Sequence, residues 1–209
     1  IAGYKGSRPY QFSSGLSWSN CGRTWITGCE ITAFGHAGVG GSEQGVTLLK
    51  NWIHHNGVSG LNHGIYWAGE GPSWVIGNTF YGNSGWAFHN HQGAYDGWQG
   101  WKHNVHHNLF IGPGGAIVTT GSRGRFLNNT IIRASNAAFW FYNDGHRDNS
   151  IANNIIVESS NSIHSRDGNV FSHNLTHSSE ETFMGDDPVK GDPQFIAPEK
   201  KDFRLKPNS

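Results

Sequence analysis

One pattern, apolar-x-x-Asn-x-apolar, recurs along this chain and constrains its fold more than any other feature. It occurs as Leu48-Leu49-Lys50-Asn51-Trp52-Ile53, Val75-Ile76-Gly77-Asn78-Thr79-Phe80 and Val105-His106-His107-Asn108-Leu109-Phe110. It returns as Phe126-Leu127-Asn128-Asn129-Thr130-Ile131, Ile151-Ala152-Asn153-Asn154-Ile155-Ile156 and, more weakly, Phe171-Ser172-His173-Asn174-Leu175-Thr176. An earlier copy, Ile26-Thr27-Gly28-Cys29-Glu30-Ile31, has Cys in place of Asn. The intervals between Asn-equivalent positions are 22, 27, 30, 21, 25 and 20 residues, so the repeat is fixed in pattern and irregular in length.

A six-residue copy is too short to bury its own apolar face, so the copies must stack and share one core. Stacked strands sit about 4.8 Å apart, which makes a seven-coil column on the order of 30 Å tall. Stacking also accounts for the asparagine. Amides placed one above another donate and accept along the stack, and Asn tolerates turn conformations.

After each Asn copy comes a Gly- or Ser-bearing turn and a second apolar stretch: His63-Gly64-Ile65-Tyr66-Trp67, Trp86-Ala87-Phe88-His89-Asn90, Ala116-Ile117-Val118-Thr119-Thr120, Phe139-Trp140-Phe141-Tyr142 and Ser162-Ile163-His164-Ser165-Arg166. These stretches predict a second parallel sheet. The reading is all-β, a parallel β-helix of about seven coils in a single domain over 1–209, with 1–20 and 177–209 as caps on its open ends.

Composition agrees. Gly contributes 30 residues and Trp 9, while only 14% of the chain is charged, a profile that suits strands joined by tight turns. Lys plus Arg equals Asp plus Glu at 15 each, so no global field draws the protein to nucleic acid. No apolar run approaches the roughly 18 residues of a membrane span. The opening at Ile1 implies a processed precursor or a fragment, and Cys21 with Cys29 fits an optional disulfide or two buried thiols.

These copies resemble the coils of right-handed parallel β-helix proteins of the pectate-lyase-like superfamily, over roughly residues 20–209. The ending Gly191-Asp192-Pro193-Gln194-Phe195 through Asp202-Phe203-Arg204-Leu205-Lys206-Pro207-Asn208-Ser209 resembles the closing segment of secreted bacterial members. The resemblance implies a right-handed coil, an extracellular or periplasmic location and polysaccharide as partner. It carries no active site across. Gly35-His36-Ala37-Gly38 only approximates the Gly-His-Gly element of the polygalacturonase-type hydrolases, and their Arg-Ile-Lys element is absent. The Asp-Pro-His element of the alginate epimerases is missing too, with Leu61-Asn62-His63 at the nearest comparable place. Hydrolysis by the paired-carboxylate route is disfavoured.

Function in a packed solenoid lies on an outer face or in loops. With Ile65, Ala87, Ile117, Phe139 and Ile163 turned inward, Tyr66, Phe88, Val118, Trp140 and His164 face outward, continued two positions on by Asn90, Thr120, Tyr142 and Arg166. Flat rings stack on sugar faces, and Asn, Thr and Arg bind hydroxyls and carboxylates. The longest insertion adds Trp98, Trp101 and Lys102 as a groove wall. The substrate-binding expectation is therefore Phe88, Asn90, Trp98, Trp101, Lys102, Trp140, Tyr142 and His164.

For catalysis the expectation is His63, Tyr66, His91 and Arg166. A His/Tyr pair suits removal of the C5 proton of a uronic acid and protonation of the leaving oxygen, in β-elimination or epimerisation. An Arg (Arg123, Arg125 or Arg166) would neutralise the carboxylate. No histidine spacing forces a metal site, and no cofactor is expected. Calcium, which the resemblance brings to mind, needs clustered carboxylates, and the obvious cluster, Asp186, Asp187 and Asp192, lies in the tail. The alternatives are a non-catalytic β-helix acting as adhesin, glycan-binding module or self-associating structural subunit, and a periplasmic metal binder using the 13 histidines. Two sequons, Asn128-Asn129-Thr130 and Asn174-Leu175-Thr176, read as chance, with Asn174 committed to the ladder.

Overall fold

A computed structural model describes residues 14–19, 22–41, 45–68, 72–90, 103–112, 114–119, 121–141, 148–160, 163–164 (backbone), 168–179 and 185–209. Within it the chain winds as a parallel β-solenoid of three sheets rather than two. Sheet I stacks Leu16–Trp18, Ala37–Gly41, His63–Trp67, Trp86–Asn90, Gly115–Thr119, Phe139–Phe141 and Ile163–His164. Sheet II stacks Thr24–Thr27, Val46–Leu49, Trp74–Ile76, Asn104–His106, Arg125–Leu127, Ser150–Ala152 and Val170–Ser172. Sheet III stacks Glu30–Thr32, Trp52–His54, Thr79–Tyr81, Leu109–Ile111, Thr130–Ile132, Ile155–Val157, Leu175–His177 and Val189–Lys190. Seven strands, one per coil, make six full turns in each of sheets I and II.

The third sheet arises because the hexapeptide is two strands meeting at a corner. In Val105–Phe110, Val105 ends up inside on sheet II, His106 points out, His107 turns the chain, Asn108 turns in, and Phe110 lands inside on sheet III. The turning residue adopts the left-handed conformation in every copy. Gly28 and Gly77 do so freely, and Lys50, His107, Asn128, Asn153 and His173 do so at φ 52 to 57°. The motif's spacing is therefore the geometry of a two-residue corner.

The asparagines behind that corner form a continuous buried ladder. Each side chain donates Nδ2–H to a backbone carbonyl of the coil before it, as Asn129 does to Val105 (2.9 Å), and to the Oδ1 of the next rung, Asn154 (3.0 Å). That Oδ1 also accepts the next backbone N–H, Asn129 N–H to Asn154 Oδ1 at 2.9 Å. The rungs are Asn51, Asn78, Asn108, Asn129, Asn154 and Asn174, and Cys29 N–H tops the column on Asn51 Oδ1 at 2.9 Å. The Cys29 thiol is free and half-buried.

Two shorter ladders stand at the other corners. Between sheets III and I, Asn56 bonds Asn83 (3.1 Å) and Ile31 O (3.1 Å), and further along Ser159 and Ser179 take the same role. Between sheets I and II, Asn149 bonds Gly121 O (3.0 Å) and Asn169 Oδ1 (2.8 Å). All three corners thus satisfy buried backbone with side-chain amides or hydroxyls.

The interior is aliphatic and aromatic: Leu48, Val75, Val105, Phe126 and Ile151 from sheet II, Ile53, Phe80, Phe110, Ile131 and Ile156 from sheet III, and Ile65, Phe88, Ile117 and Phe139 from sheet I. Phe80 and Phe110 stack directly, 4.8 Å apart and 6° from parallel. His103 is also fully buried, held by Ser73 Oγ at 2.7 Å, and burial takes its pKa down to about 4.

Of the two expected caps, Leu16–Trp18 supplies the first strand of sheet I, and residues 1–13 lie outside the described set. The C-terminal segment covers a side as well as an end. Val189–Lys190 adds a strand to sheet III, and the antiparallel hairpin Phe195–Ala197/Asp202–Leu205 lays Phe195 and Phe203 on Ile132, Val157, Leu109 and Ile155 of its outer face. Lys201 Nζ sits 3.9 Å above the Tyr81 ring. No helix among the described residues is long and apolar enough to cross a membrane.

Candidate functional site

The outer row of sheet I is set by strand register. Tyr66 pairs with His89, His89 with Val118, Val118 with Trp140, and the Trp140 backbone with that of His164. This corrects the expected row at one strand. Phe88 pairs with Ile65 and Ile117, is fully buried and points into the core; Asn90 is equally buried, donating to Trp67 O at 3.3 Å and accepting from Thr119 Oγ1 at 3.4 Å. Neither side chain can meet a ligand outside. A register slip of one residue exchanges the two faces of a strand, so with Phe88 turned inward it is His89, between Phe88 and Asn90, that faces outward.

His63 and Tyr66 do come together, and the fold brings His89 and His36 to them. The His63 ring stacks on Tyr66 (centroids 5.5 Å apart, 12°) and meets His89 edge-on at 4.4 Å. Tyr66 and His89 lie 5.1 Å apart at 84°, and His36 approaches the Tyr66 ring at 6.0 Å with Ser14 Oγ 3.3 Å from its Nδ1. His63 is only 4% exposed. The Trp86 N–H donates to His63 Nδ1 (3.0 Å), and His63 Nε2 lies 2.9 Å from His89 Nδ1.

Burial disfavours charge on three of these rings. Burial, followed by the neighbouring His89 and His36, holds the His63 pKa down to about 3. Burial also lowers that of His36 and raises that of Tyr66, so His63 and His36 stay uncharged and Tyr66 keeps its proton near neutrality.

Next along the same face is an apolar half. Trp86 and Trp140 meet at 5.7 Å and 73° over Val118 and Ala137. Gly115 makes room for the Trp86 indole, because a Cβ there would stand 2.2 Å from it. Trp140 remains half-buried, so part of its surface faces solvent.

His91, Trp98, Trp101, Lys102, Tyr142 and Arg166 lie outside the described residues. In sequence they fall between strands of sheet I and the next strands of sheet II. The other two arginines considered do not join this face: Arg125 is on the outer surface of sheet II, and Arg123 turns the chain just before it at φ 56°.

A second histidine group lies on sheet III. Glu30 Oε1 accepts from His54 Nε2 at 3.0 Å, His54 Nδ1 lies 2.8 Å from His55 Nδ1, and Trp52 stacks on His54 at 4.0 Å. His106 and His107 repeat the adjacent-imidazole contact at 3.0 Å, with no carboxylate bonded to it among the described residues. Both pairs straddle a corner, one ring ending a strand and the next turning the chain. Among the described residues no three His, Cys, Asp or Glu side chains converge as a metal site.

The fold and this face define a parallel β-solenoid bearing a buried His/Tyr cluster beside an aromatic patch on one sheet. Comparison with family models, with curated proteins and with solved structures found no match for the chain.

Proposed function

We propose that the protein acts on a uronic-acid-containing polysaccharide bound across the outer face of sheet I, as a lyase or epimerase. The observation that carries this reading is the adjacency of the His36/His63/Tyr66/His89 cluster to the Trp86–Trp140 patch on one row of stacked strands. Sugar rings present C–H faces to aromatics and oxygens to neutral donors, and a row crossing several coils suits a linear chain. Kinship with the pectate-lyase-like β-helix proteins, and with it an extracellular or periplasmic location, belongs to the same proposal.

Incubation with polygalacturonate, alginate and hyaluronan, followed by ultraviolet absorbance for the unsaturated product and by proton NMR for inverted C5 centres, tests it. Product from one polymer, lost on Tyr66→Phe, is the expected result. Neither product nor binding from any of the three refutes it. The second reading, a non-catalytic glycan-binding or self-associating module, is favoured by the apolar Trp86/Val118/Ala137/Trp140 cluster; binding or concentration-dependent assembly with no product would select it.

A further inference from the structure

The hydrogen bonds around His63 fix where its protons sit. A backbone N–H can only donate, so His63 Nδ1, 3.0 Å from the Trp86 nitrogen, presents a lone pair. A neutral imidazole has one N–H, which must then be on Nε2. That N–H points at His89 Nδ1, 2.9 Å away, and His89 Nδ1 must accept. The proton of neutral His89 is therefore on Nε2, whichever group Nε2 meets. Protonating His89 at Nδ1 would set two N–H groups against each other across 2.9 Å.

We infer that His63 is a positioning residue that locks His89 as a neutral Nε2–H donor, and that His89 and Tyr66 form an uncharged donor pair for an oxyanion, the carboxylate of a uronic acid. A ring locked this way is a poor acid, because losing its only proton would leave an imidazolate, and Nε2 has no lone pair with which to act as a base. Donation is the role left to it. An imidazole N–H and a phenol whose rings lie 5.1 Å apart put two uncharged donors on the same part of the face, and a carboxylate can accept from both. The low pKa of His63 agrees with a ring that never takes up a second proton. The ligand rests on the glycan reading above; the proton positions do not.

Long-range nitrogen–proton NMR on uniformly labelled protein at pH 7 reads both tautomers directly. The expected spectrum shows Nε2–H with unprotonated Nδ1 for His63 and His89. Addition of a galacturonate oligosaccharide shifts the His89 Nε2–H signal, and the carboxyl-reduced oligosaccharide binds about tenfold or more weakly, the loss of one charge-assisted hydrogen bond. His63→Phe, which keeps a ring against Tyr66, turns His89 into a mixture of tautomers and weakens carboxylate binding by a similar factor. Should that variant fail to fold, His89→Gln retains a donor and binding while His89→Leu loses binding. A proton on Nδ1 of either histidine, or equal binding of the two oligosaccharides, overturns the inference. The expected tautomers with neither oligosaccharide bound remove the carboxylate subsite and the uronate reading together, and leave only the lock.

Discussion

Replacing a central rung of the long ladder, Asn129→Ala, removes four hydrogen bonds. Asn129 Nδ2 loses Val105 O and Asn154 Oδ1, and its Oδ1 no longer receives the backbone N–H and the Nδ2 of Asn108. Asn108 Nδ2 keeps two other acceptors, Val75 O and His106 O, so its loss is small. The Asn108 backbone N–H and the Val105 carbonyl are left without their side-chain partners in a site where Asn129 itself is 1% exposed. Each buried group so stranded costs about 1–3 kcal/mol, which with the vacated volume gives about 3–6 kcal/mol. That is a large fraction of the roughly 5–15 kcal/mol by which native proteins are stable. Urea unfolding followed by tryptophan fluorescence measures it, and amide exchange at Asn108 reports the local opening. Asn128→Gly is the neighbouring control, since Asn128 is exposed and left-handed at φ 54°, a conformation glycine adopts freely. A loss below about 1 kcal/mol for Asn129→Ala, with the Asn108 amide still protected, would refute the view that the ladder holds the coils together.

Stability should fall as the medium is acidified from about pH 6.5 toward 4. The folded state keeps His103 and His63 neutral, at pKa about 4 and about 3, while the unfolded chain takes up protons near 6.5, so the unfolded state binds more protons in that window. Each buried ring contributes a slope of about 1.4 kcal/mol per pH unit; denaturation midpoints at pH 7, 5.5 and 4.5 test this, and His103→Gln should flatten the dependence. Phe203→Ala should release the C-terminal hairpin from Leu109, Ile132, Ile155 and Val157, raising dye binding and protease cleavage there at a cost of about 1–2 kcal/mol and leaving amide protection in the ladder intact. Gly115→Ala should push the Trp86 indole off its seat and change its fluorescence, while the two neighbouring coils stay folded. An unshifted emission spectrum would contradict that packing.

The long ladder was legible in the sequence because its corner has a fixed length of two residues and an amide at one offset in six copies. The third sheet was not, since two three-residue strands flanking a left-handed residue look like one strand when written in a line. The ladder between sheets III and I was hidden by substitution: Phe34, Ala134, Ser159 and Ser179 stand where Asn56 and Asn83 do, so no single residue type marks the column. On the candidate face, His63, Tyr66 and Trp140 were readable. His89 lies beside them in the sequence, but alternation turns it inward, because the stretch Trp86-Ala87-Phe88 is buried at three consecutive positions. His36 was visible only as part of an imperfect Gly-His-Gly likeness, and nothing local ties it to a tyrosine 30 positions on.

The two-residue corner also separates what is free to vary from what is not. Between sheets II and III the connection never changes length, whereas between sheets I and II it runs from four residues (42–45) to thirteen (91–103). Each coil thus begins and ends on the same rung geometry whatever it carries in between. Differences in coil length are therefore taken up away from the long ladder, while packing between coils, such as Trp86 over Gly115, still ties each coil to its neighbour. Such a molecule changes by whole turns, and the height of its column is set by how many turns it has.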